Sequence, residues 1–416
     1  MMLRLRDAVP LLLLVVCQGC GESGGAADDT IRPVWVTEAE HQFGDAPGQD
    51  VFFIVPYVRS NLARDHVLVL DGGTATVSAW SPDGVLRFTV GGQGQGPGEF
   101  VSAQDLFVET DGTFWVREGI GSRFTHFAGD GALLGTVSGV DAALGYQGFG
   151  VILAWPHDGG YLGFPEVYAD VEAGRVGLPP VDRQPVIRVR RSDSGQWDQP
   201  EPLLWLDVSN RMHVMEFADG SSFFGRQWFG DADRVLFELD AAVVMRVKGE
   251  PGAVELLETN VAGDTVWHRH LRLEPRRLTA RMVEELVDGE VEELAPALSS
   301  PESRMRVSRE QLREMYRDAL HTPEYLPAAE RHVLTASGEV WIKTTERSDT
   351  LRVYYVVKRD DLDEPPRRVL LPESLMVHDA TGTHVWGIWR DSMDRPHVVG
   401  RRLVRMDGFV EEAAER

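Results

Sequence analysis

Two histidines separated by a single residue are the first candidates for chemistry in this sequence of 416 residues. His268 and His270 lie in the stretch WHRHLRL, and side chains two residues apart on a β-strand point to the same face. A pair of imidazoles in that arrangement can bind Zn²⁺. No third ligand lies nearby in the sequence, and the stretch also fits a strand with its histidines in solvent and Trp267, Leu271 and Leu273 packed inside. We favour the packed strand and predict no metal ligand.

The glycine-rich stretch GGQGQGPGEF, residues 91–100, is a candidate for phosphate binding. A phosphate loop requires Lys followed by Ser or Thr and then a helix, whereas this stretch leads into another apolar segment. We interpret it as a turn between two sheets, in which glycines permit positive φ, proline fixes one φ and phenylalanine packs between the sheets. The residues of this structural turn motif are Gly94, Gly96, Pro97, Gly98, Glu99 and Phe100.

No pattern in the sequence identifies a catalytic residue. A serine hydrolase places its nucleophile in a Gly-x-Ser-x-Gly turn before a helix, and no Gly-x-Ser-x-Gly in this sequence stands before a helix. Both cysteines lie near the N-terminus, at Cys17 and Cys20, which excludes a thiol nucleophile in the body of the protein. Carboxylates are so numerous, 65 in all, that pairs of them carry no information. We predict no catalytic residue and no cofactor.

Isolated histidines and tryptophans leave further hypotheses open. A ring-shaped fold could bring together at its axis four histidines that are far apart in sequence: His332, His378, His384 and His397. Trp115, Trp341 and Trp386 occupy equivalent places in repeated segments, and we interpret them as core between the repeats. The alternative is a platform that stacks on carbohydrate, which requires exposed rings.

The charge of the chain is strongly negative. The 42 lysines and arginines and the 65 aspartates and glutamates give a formal net charge of −23. A surface of this sign repels phosphates, so nucleic acid is excluded as a partner. Hydrophobic residues make up 43% of the chain, which is enough for a large core in several domains or in one large all-β unit.

The N-terminus has the features of an export signal. Arg4 and Arg6 precede an apolar run that is shorter than the roughly 20 residues of a transmembrane helix. The run ends in CQGC, residues 17–20. We therefore predict that residues 1–19 are a signal peptide and that residues 20–32 form a flexible acidic tether.

The CQGC segment resembles a bacterial lipoprotein signal, in which the cysteine after the cleavage site is lipidated. The resemblance implies Cys20 as the lipid attachment site, with Gly19 as the small residue before it, although Cys17 stands where such signals usually carry Leu. An ordinary signal peptide that ends in cysteines is the alternative. A diacylated cysteine would be a stable membrane anchor, and the absence of Asp directly after Cys20 favours the outer membrane.

Short apolar runs alternate with turn residues through most of the remaining chain. Val67–Leu70, Thr76–Trp80 and Val85–Val90 are predicted strands, separated by Asp-Gly and Pro-Asp-Gly turns that favour hairpins. TDGTFWV, ASGEVWI and ATGTHVWG repeat one theme, a glycine turn followed by a strand with an aromatic residue. Four-stranded units that recur about every 40 to 50 residues are typical of a β-propeller. Ring closure would place a strand near Pro33–Val36 or Val51–Val55 in the last sheet.

One region, about 276–322, has helical periodicity instead. Ser308 and Gln311 form a capping box before apolar residues at helical spacing. Gly289 and Pro296 predict that the preceding helix is short or broken. We predict a helical hairpin inserted in a late blade, packed on the rim of the ring, and partner binding by this hairpin is a second hypothesis.

The Gly-Pro-Gly-Glu-Phe segment resembles a signature of the bacterial six-bladed β-propeller lipoprotein family, which is related to the NHL-repeat propellers. In that family the signature follows the strand of the first blade, as it follows Val85–Val90 here. The stretches PEYLPAAERHVLTASGEVWIKT and DATGTHVWGIWRDSMDRPHVVGRRLVR are similar to later blades of the same family. The resemblance implies an all-β, six-bladed β-propeller over residues 33–407, followed by a C-terminal tail at 408–416.

These observations favour a non-catalytic binding module. We expect it to recognise a protein, peptide or glycan of the cell envelope as a monomer, attached through its lipid to the membrane, on the periplasmic face of the outer membrane. The alternative is an envelope hydrolase, lactonase or lyase that uses a metal in the propeller channel, which would require ligands from several blades to converge on the axis.

Overall fold

A computed structural model of the chain gives the fold. It describes residues 34–43, 52–55, 57–118, 123–137, 151–154, 161–164, 182–190, 192, 194, 201–217, 219–238, 241–298, 307–348, 350–361 and 363–406. All of them belong to one compact unit, Pro33–Arg416.

The first nine strands comprise one N-terminal strand and two antiparallel sheets of four. They are β1 (Val34–Phe43), β2 (Tyr57–Asn61), β3 (His66–Asp71), β4 (Thr76–Trp80), β5 (Leu86–Gly91), β6 (Ala103–Val108), β7 (Phe114–Glu118), β8 (Phe124–Phe127) and β9 (Leu133–Val137). β2 to β5 form one sheet and β6 to β9 the next, each in chain order. The turn before β5 contains Gly84 at φ 86°, the positive angle that its Pro-Asp-Gly sequence predicts.

The middle of the chain adds two more sheets of four and one separate hairpin. Its strands are β10 (Val151–Ala154), β11 (Tyr161–Phe164), β12 (Arg183–Val189), β13 (Glu201–Asp207), β14 (Met212–Glu216), β15 (Ser222–Arg226), β16 (Arg234–Phe237), β17 (Ala241–Arg246), β18 (Ala253–Asn260) and β19 (Thr265–Arg272). β10 to β13 and β16 to β19 are the sheets, and β14 pairs only with β15. This two-stranded hairpin was not predicted from the sequence.

Two helices follow β19, and both lie within the range 276–322. They are α1 (Ala280–Leu298) and α2 (Arg309–Ala319). The capping box at the start of α2 is present as predicted, because the Ser308 hydroxyl accepts the Gln311 N–H and the Gln311 side chain accepts the Ser308 N–H.

The prediction of a short or broken first helix is wrong. α1 continues for 19 residues through Gly289 and Pro296. Pro296 lies in the last turn, where its missing N–H costs a single hydrogen bond. The buried residues Val287, Val291 and Ala295 hold the helix along its length. They pack with Met215 of β14 and with α2, so the helical hairpin covers the β14–β15 hairpin rather than a rim of the larger sheets.

The last strands form a sheet of eight that includes β1. They are β20 (Ala329–Leu334), β21 (Glu339–Ser348), β22 (Leu351–Lys358), β23 (Arg367–Pro372), β24 (Met376–Ala380), β25 (His384–Arg390) and β26 (Pro396–Met406). The strand order is β20-β21-β22-β23-β1-β26-β25-β24. β1 pairs antiparallel with β26 along its length and parallel with β23 over three residues. Of the two alternatives for closure, the strand near Pro33–Val36 is the one that enters the last sheet.

Apolar side chains fill the spaces between successive sheets. One cluster joins Leu70 and Val77 of the β2–β5 sheet to Leu106 and Phe114 of the β6–β9 sheet. Another cluster joins the β16–β19 sheet to β20, β21 and β22. The chain is therefore mostly β, built from small antiparallel sheets with two helices in the described part, which confirms the all-β prediction.

Candidate functional site

Five strands, each the first of a run of four, surround a cavity of about 700 Å³ that we name the axial cavity. β2 lies against β6 and β24, and β20 lies against β16 and β24. The polar side chains that line it are Tyr57, Arg59, Ser102, Gln104, Asp105, Glu238, Arg331, His332 and His378.

Most polar groups of the axial cavity already have partners. Asp105 forms a buried ion pair with Arg117. Burial raises the pKa of the Tyr57 hydroxyl, and the charge of Asp105 and a hydrogen bond to it raise that pKa further. Arg59 donates from Nη1 to the carbonyl oxygen of His378 at 2.7 Å. The charged groups near β2 and β6 in the axial cavity are therefore paired with other protein groups.

Asp379, next to the cavity, joins three segments through its carboxylate. Oδ2 accepts the Ser60 N–H of β2 at 2.5 Å, and Oδ1 accepts the N–H groups of Ala336 and Ala380, each at 2.8 Å. The side chain is fully buried, and buried backbone donors need such an acceptor. Asp379 therefore fixes β2 and the β20–β21 turn to β24.

His332 and His378 are the two of the four isolated histidines that line the axial cavity. Burial lowers the pKa of His332 to about 4 and that of His378 to about 3, so both rings are neutral at physiological pH. His332 Nε2 lies 3.0 Å from the carbonyl oxygen of Val243. His378 Nε2 is buried without a hydrogen-bond partner among the described residues. His384 and His397 lie elsewhere, near Trp386 and Asp391 respectively.

A second cavity, of about 520 Å³, is lined by an excess of cations, and we name it the arginine cavity. Its lining contains seven cationic side chains and two carboxylates: Arg226, Arg234, Arg276, Arg331, Lys343, Arg347 and Arg352, with Glu330 and Glu373. The net charge of this lining is therefore positive, whereas the net charge of the whole chain is −23.

The two carboxylates are occupied by three of the cations. Lys343 lies 2.7 Å from Glu330. Arg352 pairs with Glu373 at 2.8 Å and with Glu330 at 3.5 Å, and Arg347 lies 3.4 Å from Glu373. The other four arginines, at positions 226, 234, 276 and 331, form no ion pair with any carboxylate in the described part of the chain.

The four unpaired arginines have modest compensation from neutral groups. Arg234 and Arg276 each donate to one carbonyl oxygen, of Ala329 at 2.8 Å and of Thr345 at 2.9 Å. The Arg226 guanidinium lies 5.7 Å from the centre of the Trp228 ring. Neutral partners of this kind leave the net positive charge in place.

Electrostatics in the arginine cavity oppose the charged forms of these side chains. Burial, together with repulsion by Arg226, lowers the pKa of Arg234 to about 10. Burial also lowers the pKa of Arg331, which Arg59 and Arg226 repel. Arg331 is nevertheless an exposed residue, and it lines both cavities. An anion in the cavity would relieve both effects.

The two cavities meet at β20. Arg331 and Val333 line both of them. On the far side, Met282 and Leu286 of α1 line the arginine cavity, so the helical insertion provides an apolar part of its wall. A ligand that lies here contacts an arginine-rich surface and a hydrophobic surface together.

The predicted His268 and His270 pair lies away from both cavities, on β19. Both rings are exposed, while Trp267, Leu271 and Leu273 are buried, which confirms the predicted orientation of this strand. Glu255 of β18 completes a group whose three ligand atoms lie within 4.8 Å of one another. Among the described residues this is the one group of three potential metal ligands, and neither cavity contains it.

The turn motif connects β5 to β6. Phe100 is fully buried in the cluster between the two sheets, and the Glu99 carboxylate accepts the Gly96 N–H at 2.8 Å. Gly98 has a φ of 79°. Gly94 is needed for space instead, because a Cβ there would lie 2.0 Å from Glu99 Oε2. Pro97 is exposed, and the geometry is that of a turn around the carboxylate of Glu99.

The three equivalent tryptophans differ in burial. Trp341 and Trp386 are buried in the core, as predicted. Trp115 is only half-buried, because Phe114 and Val116 occupy the core face of β7 and Trp115 points to the opposite face. There its ring stacks on His126 with 3.9 Å between centroids. The proposed lipid attachment site, Cys20, lies outside the described residues.

The arginine cavity and the position of Glu255 beside the two histidines were not predicted from the sequence. The arginines come from β15, β16, the segment before α1 and β20, and nothing in their spacing relates them. The excess of carboxylates in the composition was the available signal, because it makes any local excess of cations unusual.

The sequence matches no family model and no curated protein. Among solved structures, a DUF4221 family member from Bacteroides vulgatus matches with a TM-score of 0.45 and 8% identity over 89% of this chain and 99% of that chain. A protein from Bacteroides fragilis that is described as exported matches with a TM-score of 0.42 and 8% identity over 89% and 96%. A gluconolactonase from Xanthomonas campestris matches with a TM-score of 0.36 and 12% identity over 90% and 96%.

Identities and TM-scores this low carry no conclusion about what this chain binds or catalyses. No helix in the described part of the chain has the length and apolarity needed to cross a membrane.

Proposed function

We propose that this chain is an exported binding module of the cell envelope that recognises an anionic group of a protein, peptide or glycan in the arginine cavity, without catalysing a reaction. The observation that carries the proposal is the set of four arginines without a carboxylate partner around one cavity. In a chain with 65 acidic and 42 basic residues, such a concentration of unpaired positive charge is costly unless a ligand compensates it.

The chemistry of the lining favours binding over turnover. Guanidinium groups hold carboxylate, phosphate or sulfate through paired hydrogen bonds. The adjoining apolar surface of Met282 and Leu286 suits a ligand whose anionic group is attached to a larger carbon skeleton. The described lining contains no histidine, cysteine or aspartate, and its one lysine forms an ion pair with Glu330.

The architecture that we propose around this site is a six-bladed β-propeller. Six runs of four strands support it: β2–β5, β6–β9, β10–β13, β16–β19, β20–β23, and β24–β26 with β1. The contacts among the first strands of five of these runs support the proposal that the axial cavity corresponds to the channel of a propeller. Attachment through a lipid on Cys20, and a location on the periplasmic face of the outer membrane, are parts of the same proposal that rest on the N-terminal sequence.

Thermal unfolding of the purified chain with anionic probes tests the binding function. Inorganic phosphate, succinate and a sulfated disaccharide are the three probes, and at least one is expected to raise the unfolding midpoint through preferential binding to the folded state. The double variant Arg226→Gln/Arg331→Gln is expected to lose that rise. The matched control is Arg281→Gln/Arg317→Gln, which removes two exposed arginines of the helical hairpin.

Two results contradict the proposal. One is the absence of a midpoint shift with all three probes. The other is a shift that persists unchanged in Arg226→Gln/Arg331→Gln, since the anion would then bind elsewhere on the surface.

A further inference from the structure

We propose that Glu255, His268 and His270 form a binding site for a divalent transition-metal ion of the zinc type on the outer strands of the β16–β19 sheet. This site is separate from the arginine cavity and does not depend on the proposed function. The ligand atoms of the three side chains lie within 4.8 Å of one another. Two imidazoles and one carboxylate are a common ligand set for zinc.

The register of two strands brings the three side chains to one face. Glu255 of β18 lies directly opposite His270 of β19, and Leu257 lies opposite His268. Residues 268 and 270 share a face because side chains alternate along a strand. Glu255 therefore lies beside both histidines, and the β18–β19 ladder holds the three Cα positions at a fixed spacing.

The side chains are already close to a binding geometry. His268 Nε2 and Glu255 Oε1 lie 2.7 Å apart, and the rings of His268 and His270 have centroids 4.4 Å apart at an angle of 69°. Ligands about 2.1 Å from a tetrahedral zinc ion lie about 3.4 Å from one another. The side chain of His268 is 40% exposed and that of Glu255 29%, so rotation of the side chains can close the remaining distance.

The two carboxylate oxygens of Glu255 face different neighbours. Arg246 lies 3.6 Å from Glu255 Oε2, which leaves Oε1 on the histidine side for the ion. Three protein ligands leave one tetrahedral position open to water or to a group from another molecule.

Zinc titration of the full chain tests the site. The chain carries no histidine tag, and Cys17→Ser and Cys20→Ser remove the two thiols that would compete for the ion. Zn²⁺ affinity is measured by competition with a chromophoric chelator, and Co²⁺ absorption reports the geometry. The parent chain is expected to bind one Zn²⁺ and to give the intense visible bands of tetrahedral Co²⁺.

Each single variant, His268→Ala, His270→Ala and Glu255→Gln, is expected to weaken Zn²⁺ binding by at least about tenfold. The matched controls are His321→Ala, a histidine outside the group, and Glu250→Gln, an exposed carboxylate of the same sheet that pairs with Arg272. Both controls are expected to keep the affinity of the parent. The thermal unfolding midpoint of every variant is recorded with the same samples, so that a loss of binding is read only from folded protein.

The proposal is overturned if the double variant His268→Ala/His270→Ala binds Zn²⁺ with the stoichiometry and affinity of the parent. It is also overturned if the parent takes up no more Zn²⁺ than the double variant does. Neither result bears on the arginine cavity, whose test uses anionic probes.

Discussion

Arginines have opposite surroundings in two parts of this molecule. On the helical hairpin, Arg309, Arg313 and Arg317 each reach an acidic side chain of α1, at 2.6, 2.5 and 2.5 Å, and all three are exposed to solvent. In the arginine cavity, by contrast, four arginines have no carboxylate partner among the described residues. In a chain with more acidic than basic residues, pairing is the default, and its absence marks a surface arranged for something other than stability.

Polar groups around the axial cavity also differ from those of the helical hairpin, because they are buried. Burial gives each of these charges and neutral histidines a large effect on stability, whereas the charges of the helical hairpin are screened by water. Four predictions test this difference, from the largest expected effect to the smallest.

Removing the Asp379 carboxylate, next to the axial cavity, is expected to have the largest effect on the free energy of unfolding. Asp379→Ala leaves the N–H groups of Ser60, Ala336 and Ala380 without their acceptor, and we expect a loss of about 4 kcal/mol in the free energy of unfolding. Denaturant unfolding measures it. On the hairpin, Asp288→Ala removes an exposed carboxylate and serves as the control, and an equal loss in both variants would refute the contrast.

Acidification is expected to weaken the fold through the buried histidines. The unfolded chain takes up a proton at each histidine below about pH 6.5, whereas His332 in the folded protein remains neutral down to about pH 4. Because the unfolded state binds more protons in this window, stability falls as the pH falls from about 6.5 to about 4, by about 3 kcal/mol for His332 alone.

Unfolding free energies at several pH values across that window give the slope. His332→Gln is expected to reduce the slope, although it also removes the contact with Val243 and lowers stability at pH 7. His321→Gln, beside the helical hairpin, keeps His332 and is expected to keep the slope. A slope that is the same in His332→Gln and in the wild type would show that His332 is not responsible.

Replacing an unpaired arginine of the arginine cavity is expected to cause no loss of stability in the absence of a ligand. Arg331→Gln removes a desolvated charge that Arg59 and Arg226 repel, so the unfolding midpoint of the ligand-free protein should stay constant or rise by up to about 2 °C. Calorimetry measures the midpoint. A clear decrease would mean that Arg331 has a stabilising partner and that the cavity was not arranged for a ligand.

The smallest effect is expected on the hairpin. Arg317→Gln breaks an exposed ion pair with Glu284, and we expect the unfolding midpoint to fall by less than about 2 °C. High salt should produce a comparable change in the wild type, because it screens the same pair. A larger decrease would indicate that exposed ion pairs contribute as much to stability as the buried hydrogen bonds of Asp379.

The sequence predicted the elements that depend on local signals. The strands around Thr76–Trp80, the capping box at Ser308 and the burial of Trp341 and Trp386 follow from turn chemistry, capping and alternation, each within a few residues. The continuity of α1 was missed because its tertiary packing with Met215 and α2 overrides the weak local preference of Gly289 and Pro296.

Glu255, the third member of the proposed metal-ligand group, was missed for a different reason. The register of β18 and β19 shifts by one residue between Glu258 and Thr259. Counting outward from the turn without that bulge places Val254 opposite His270, on the wrong face for Glu255 to join the histidines. A single-residue shift moves every side chain of a strand to the other face, and nothing in the sequence marks where this bulge occurs.

The pairing of β1 with β26 has a consequence for the order in which the molecule can be assembled. β1 is synthesised long before β26, so its longest ladder can form only after residues 396–406 have been synthesised. A prematurely terminated product keeps β1 with an open hydrogen-bonding edge, which is a target for proteases. Formation of the β1–β26 ladder therefore requires a chain that extends through β26.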